Sequence, residues 1–261
     1  MSITNKEIST TYKDWLIIDN SNAGFDTNID QVKSGNGNGS SLYLSTNNLK
    51  VQPTADSTTN SVIYDKDGNI LFQVDSTNDV VKALGNHVNT QYKEFGLFNH
   101  TPTQGRHEPL VANTFYASTS GTLWATGSPD FGTGTDPATS ITAQAGVSEP
   151  LTGCIWYLMD AISIDSIRVL ASSQSGSDAS HTFHLMSYDI DTSSTYGSLS
   201  NGTLIAHTAS SMELQRLYTK TASLTIDSAS VATNKVIVAF AENEDGTDKI
   251  TCQLTVKYHL T

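Results

Sequence analysis

The sequence predicts an all-β protein, and three observations carry that prediction. The first is composition: 37% of the 261 residues are hydrophobic and 15% charged, against about 45–50% and about 25% in typical soluble domains. Ser, Thr, Asn and Gly make up the difference. Disordered polar tracts and extracellular or virion β proteins share this profile. Disorder requires few β-branched and aromatic residues, whereas Val, Ile, Thr, Tyr and Phe recur in short clusters to the end of the chain. The second is period-2 alternation. Val236, Val238 and Phe240 point one way in one run. Ile250, Cys252, Leu254, Val256 and Tyr258 share a face in another, with Thr251, Gln253, Thr255 and Lys257 opposite. The third is punctuation: turn-forming clusters at 172–178, 198–202 and 243–248 separate the candidate strands.

Residues 1–41 read as an N-terminal arm. It is polar except for Trp15-Leu16-Ile17-Ile18, the expected docking anchor, and it closes on a flexible Gly/Asn/Ser segment at 34–41. Residues 42–85 read as a stem of short β-hairpins. Leu42–Leu44 and Leu49–Val51 are strand candidates. Ser61–Tyr64 and Ile70–Val74 flank a five-residue loop, Asp65–Asn69, whose Gly68 suits a positive φ. Asp79–Gly85 adds a further strand and a stop. Residues 86–107 are polar and carry Pro102, Gly96 and Gly105; they read as a linker or irregular crossing segment, with Tyr92–Phe98 as a stretch that packs on a neighbour.

From 108 to 261 the strand signals become dense. Candidates are 110–116, 122–125, 154–159, 163–171, 181–189, 203–206, 217–226, 235–242 and 250–258. Short strands separated by turns predict a β-sandwich, jelly-roll-like in style, with Val236, Val238, Phe240, Leu254 and Val256 buried between facing sheets. Ser210–Gln215 is the only helical hint, and the Gly/Pro/Thr-rich stretch 126–139 reads as a loop.

A formal net charge of −12 repels phosphate backbones, and no Lys/Arg-rich run relieves it, so nucleic-acid binding is not expected. Two cysteines over this length do not form a disulfide scaffold. Cys154 and Cys252 sit in apolar runs and read as small buried hydrophobes; a disulfide would require their strands to be neighbours. The segment Met1–Glu7 has no apolar core of a leader, and no apolar stretch approaches membrane-spanning length, so synthesis without Sec export and without membrane insertion is expected.

No constellation reads as an active site. Asp65-Lys66-Asp67-Gly68-Asn69 resembles the start of a calcium loop, but its Gly falls at the fourth position and Ser76 at the twelfth; the EF-hand needs Gly at the sixth and Glu at the twelfth. It reads as a hairpin turn, and the acidic run 242–248 as a solvated turn. His181 and His184 stand three apart, so on a strand they face opposite sides and cannot share a metal. Ser118–Gly121 and Ser175–Ser177 lack the strand-elbow-helix context of a hydrolase nucleophile. Asp160, Asp165, Glu149 and Glu213 are carboxylates without a visible pairing. No cofactor motif occurs. Trp156 lies in an apolar run and reads as core, whereas Trp124 follows a Ser/Gly turn and is the candidate surface contact for a glycan.

Two segments carry a resemblance. The run Ser61–Asp75, with its D-x-x-G-N-x-L-F-x-V-D rhythm, is similar to hairpin modules in the tail-fibre stems and spike bases of marine tailed phages. Ile162–Asp189, followed by Gly197–Leu204, resembles a β domain at the end of such fibres and of capsid-decorating proteins. The resemblance covers about half the chain. It implies a homotrimer in the virion, anchored to capsid, portal or tail proteins through its N-terminal part and displaying a C-terminal head. Because short hairpins are marginal alone and their edges need covering, Ile63, Ile70 and Phe72 are the expected inter-chain contacts. A carbohydrate-binding module of a cellular protein is the alternative; an enzyme ranks behind both.

Overall fold

The computed structural model describes residues 16–18, 24–112, 130–142, 148–174, 179–192, 197–244 and 249–261. Trp15 and Trp124, two of the expected contact residues, lie outside them, as do residues 113–116 and 122–125. The chain is an all-β protein that divides into two compact units, Met1–Val88 and Asn89–Thr261.

The first unit holds two four-stranded antiparallel meanders. One is β1 (Leu16–Ile18), β2 (Asp30–Ser34), β3 (Gly39–Leu44) and β4 (Leu49–Val51); the other is β5 (Ser61–Tyr64), β6 (Ile70–Asp75), β7 (Val80–Ala83) and β8 (Asn86–His87). Because β3 runs from Gly39 to Leu44, the expected boundary between arm and stem at 41/42 falls inside a strand.

The turns are built from short polar side chains. Asp65 accepts the N–H groups of Asp67 and Asn69 at 2.8 Å each and the Asn69 side-chain amide at 2.9 Å, while Gly68 takes φ +85°. The hydrogen bond from the Asn69 side chain, joined by those backbone donors, holds the Asp65 carboxyl below its ordinary range. Its oxygens are committed to the turn, as the hairpin reading requires. Asp75 repeats the device toward Thr77 and Asn78.

These meanders bury little. Among the described residues of this unit only Val32 and Asp75 are fully buried, while Leu16, Leu49, Ile63, Tyr64 and Leu84 are each more than half exposed. The sequence explains why: apolar residues come in runs of two to four between polar turns, too few to cover both faces of a small sheet.

The second unit is a β-sandwich. One sheet is ordered β16 (Lys220–Ser223), β12 (Ile162–Ser173), β20 (Ile250–Leu260) and β9 (Thr90–His100), with β18 (Ser230–Val231) pairing β12. The other is ordered β10 (His107–Pro109), β19 (Val236–Asn243), β13 (Ala179–Ile190), β14 (Leu199–His207) and β17 (Thr225–Ile226). Onto it β11 (Trp156–Tyr157) and β15 (Met212–Leu214) add beside β19 and β13. A short helix, α1 (Ser148–Cys154), precedes β11.

Several expectations change here. The segment expected as a linker supplies β9, which pairs with β20 from Thr90↔His259 to Ile250↔His100 and buries Phe95 and Leu97. The helical hint at 210–215 is the strand β15. The turn cluster at 198–202 lies largely inside β14, where Asn201 at φ +52° marks a register shift and donates its side-chain amide to Asp189 at 2.8 Å. Cys154 ends α1 instead of opening a strand. Both cysteines are buried and free.

The alternating run Ile250–Tyr258 behaves as expected: each odd member outward, each apolar member buried. The run Val236–Phe240 does not, because every residue from Val236 to Ala241 is buried. Trp156 lies opposite Ile237 and meets Phe95 and Tyr258 of the other sheet, at 6.4 and 4.8 Å between rings. By parity, Ile237, Ala239 and Ala241 face that sheet. Val236, Val238 and Phe240 therefore face away from it, toward the segment 130–142. Phe131 of that segment packs at 5.8 Å from Phe240, and Ala138 accepts a hydrogen bond from the Tyr188 hydroxyl at 2.9 Å. The loop expected at 126–139 is thus, over its described part, a strap that seals a second face of the sheet.

Candidate functional site

The strap also forms one wall of a cleft of about 800 Å³. Its floor is the outward face of β13 and β14, contributing Thr182, His184, Leu204 and His207. Glu242 at the end of β19 and Glu244 just beyond it form a second side. The strap brings Thr133–Asp136, and the turn after β14 brings Thr208–Ser211. Among the described residues no lysine or arginine lines it.

Backbone hydrogen bonds hold the strap. Ala138 N–H reaches Phe131 O at 2.7 Å, Ile141 and Leu199 exchange bonds at 2.8 and 2.9 Å, and Gly202 N–H reaches Thr139 O at 2.8 Å. Gly132 makes the fold-back feasible: its φ is +105°, and a Cβ there would stand 2.7 Å from the Ala138 nitrogen.

Three histidines cluster here: His184 and His207 sit opposite each other on the consecutive strands β13 and β14 and line the cleft, and His107 packs against His184 from the distant β10. His107 of β10 lies edge-on to His184, with ring centroids 4.9 Å apart and planes at 89°. Its Nε2 is 2.9 Å from the Gly134 carbonyl oxygen, which can only accept, so Nε2 carries the proton. His207 Nδ1 donates to the Asp227 carboxylate at 2.8 Å. The His184 side chain is 4% exposed, and its Nδ1 has no hydrogen-bond partner. Burial, then the neighbouring His107 and His207 rings, push its pKa down to about 3; it is a neutral imidazole. Its Nε2 stands 3.9 Å from Asp136 Oδ1, beyond hydrogen-bonding distance.

The carboxylates differ in surroundings. Glu242 is 13% exposed and accepts the Thr182 hydroxyl at 3.1 Å. Glu244 accepts the Ser211 hydroxyl on both oxygens, at 2.6 and 2.7 Å. These two hydroxyls donate to carboxylates.

The parity argument for the His181–His184 pair holds. His181 lies opposite Asn243 and His184 opposite Phe240, on different faces, and only His184 reaches the cleft. Of the carboxylates named from sequence, Asp165 accepts from His259 Nδ1 at 2.9 Å, away from the cleft. Asp160 and Glu213 are exposed elsewhere. The cleft residues themselves were not legible in sequence, since no motif links His184, His207 and Glu242, or the His107 ring packed against His184. A second polar pair nearby is structural: His100 Nε2 and Glu108 Oε2 lie 2.6 Å apart with both side chains buried, and Thr103 N–H adds a bond at 2.7 Å. Burial alone would raise the Glu108 carboxyl, but these donors outweigh it and hold it low.

Of the expected docking residues, Leu16–Ile18 form β1 beside β2, with Leu16 exposed and Ile17 and Ile18 half-buried. Ile63 pairs directly with Phe72 and so shares its face; Ile70 pairs with Tyr64 across a one-residue bulge. Ile63 is 58% exposed. Among the described residues no helix is long and apolar enough to cross a membrane. No protein-family model matches the chain and no curated protein matches it, which leaves the fold and the cleft to carry its function.

Proposed function

We propose that this chain is a structural protein of a tailed-phage particle, a fibre or capsid-decoration homotrimer without enzymatic activity. Its N-terminal unit associates with other copies and docks on capsid, portal or tail proteins. Its C-terminal sandwich, a jelly-roll-like head, is displayed for attachment or particle stabilisation. The observation that carries this is the contrast between the units. The sandwich has a continuous apolar core, whereas the described part of the N-terminal unit buries only Val32 and Asp75 and exposes much of its apolar surface. Small isolated sheets with uncovered edges are marginal in water. Three copies around an axis would cover the Ile63–Phe72 face and the edges together. Repulsion between chains carrying −12 each is screened beyond about 8–10 Å at physiological salt.

Light scattering on the full chain at micromolar concentration tests this. A mass of three chains is expected, falling to one chain in Ile63→Asp while the sandwich keeps its circular dichroism. A compact monomer with the hairpins protected from hydrogen exchange would refute it. Immunogold labelling of purified particles tests the location. A carbohydrate-binding role is favoured by one feature, the hydroxyl-lined cleft, and fits the same displayed head.

A further inference from the structure

We infer that the strap is a pH-sensitive latch: two buried imidazoles, His107 and His184, hold its tip by the carbonyls of Gly134 and Thr135, and protonation of the pair releases the tip and opens the cleft. This goes beyond the proposed function and holds whether or not the chain belongs to a particle. The geometry carries it. His107 Nε2 donates to the Gly134 carbonyl oxygen at 2.9 Å, and the His184 ring bonds the backbone of the next residue, Thr135. The rings come from two strands, β10 and β13, and stand edge-on with centroids 4.9 Å apart. Both side chains are buried, and in both the other nitrogen, Nδ1, has no hydrogen-bond partner. A ring with one proton needs one acceptor, and each ring has it on the strap. A second proton would sit on an enclosed Nδ1 with nothing to receive it, and would put a charge where water is excluded. Two such cations at this separation would also repel each other.

The surrounding charged groups favour the released state once a proton is taken up. From β19, Glu242 Oε2 lies 3.8 Å from His107 Nε2, and from the strap Asp136 Oδ1 lies 3.9 Å from His184 Nε2. From β14, His207 stands opposite His184 and is held by Asp227. Glu244 lines the cleft just beyond β19. Tyr188, on the same face of β13, bonds the Ala138 carbonyl and stays neutral because burial pushes its hydroxyl up. None of these groups bonds an Nδ1 in the closed strap. A protonated His184 that swings into the cleft gains water at Nδ1 and carboxylates for its charge, and gives up the strap. The sign follows from the two states. In the closed strap burial, then the His107 and His207 rings, hold His184 at a pKa of about 3; in water its ordinary value is about 6.5. The closed form is therefore fully favoured above about pH 6.5 and loses ground as the pH falls toward 3, opening about tenfold more per pH unit. The flanks do not titrate: Phe131 packs on Phe240, and Ile141 and Leu199 exchange backbone bonds.

The test is amide hydrogen exchange on the full chain, followed residue by residue by NMR and corrected for the intrinsic pH dependence of exchange. The Ala138 amide closes the strap loop on the Phe131 carbonyl at 2.7 Å and reports the release. It should exchange roughly twentyfold faster at pH 5 than at pH 7, and at pH 5 much faster than the amides of β20, which open only with the whole sandwich. His184→Gln keeps a side-chain N–H for Thr135 without a group that titrates, and should remove most of the pH step. Should that variant fail to fold, the ring nitrogen shifts of the native protein give a second reading: at pH 7 both His107 and His184 should carry their single proton on Nε2. An Ala138 rate that is equal at the two pH values, a rate that matches β20 at pH 5, a full pH step in His184→Gln, or a proton on Nδ1 of either ring at pH 7 would each overturn the inference.

Discussion

Phe240→Ala should destabilise the sandwich severely, for a reason specific to its face of the sheet. Phe240 is fully buried, and its ring meets Phe131 of the strap at 5.8 Å and His107 and Tyr188 at 6.5 Å each. Truncation removes most of a large side chain from a site bounded by fixed backbone on β10, β13 and the strap, where collapse is restricted. Phe-to-Ala changes in such cores cost about 3–5 kcal/mol. A unit of this size loses about 2–4 °C of melting temperature per kcal/mol, so a fall of roughly 6–20 °C is expected. Leu170, at 44% exposed on the other sheet, provides the control: Leu170→Ala should stay within about 0.5 kcal/mol. Urea unfolding followed by far-UV circular dichroism measures both. A Phe240→Ala loss below about 1 kcal/mol would mean that the strap does not seal that face, and the parity assignment of β19 would fall with it.

Acid should weaken the fold before ordinary carboxylates titrate. His184 has a native pKa near 3 against an unfolded value of about 6.5, so the unfolded chain binds the extra proton. Stability from this group is complete above about pH 6.5 and declines between there and about pH 3, by up to about 1.4 kcal/mol per pH unit. Urea midpoints at pH 7 and 5 should differ in the native protein and converge in His184→Gln; an unchanged difference would refute the assignment. The thiols of Cys154 and Cys252, both pushed up to about 12 by burial, should ignore a thiol reagent in the folded protein and react fully in denaturant; rapid native labelling of either would contradict their burial. Gly202→Ala should cost about 1–3 kcal/mol by overpacking, because its Cβ would stand 2.6 Å from Tyr188 Cε1 and 2.7 Å from Thr139 Cα; thermal melts read the effect, and a neutral result would show that the strap yields freely.

The sequence by itself determined the class, the strands with strong local signals and the turns. Ile250–Tyr258 alternates because one face of β20 meets the core and the other meets solvent, and that amphipathicity is written residue by residue. Asp65–Asn69 is legible because its side chains satisfy its own backbone. The separation of His181 from His184 followed from strand geometry alone. Only the tertiary structure decided what depends on distant partners. Residues 90–100 are too polar to read as a core strand, yet they find β20 some 160 residues later and complete a sheet. The face carrying Val236, Val238 and Phe240 is closed by an irregular strap whose Phe131 has no periodic signature. Sequence could not show that β19 is buried on both faces, since alternation between two sets of apolar residues is invisible. The cleft is the extreme case. His107, His184, His207 and Glu242 come from four strands, and no spacing relates them. Their chemistry arises because the sheet order β10-β19-β13-β14 sets them side by side, and because the strap excludes enough water to keep one imidazole neutral.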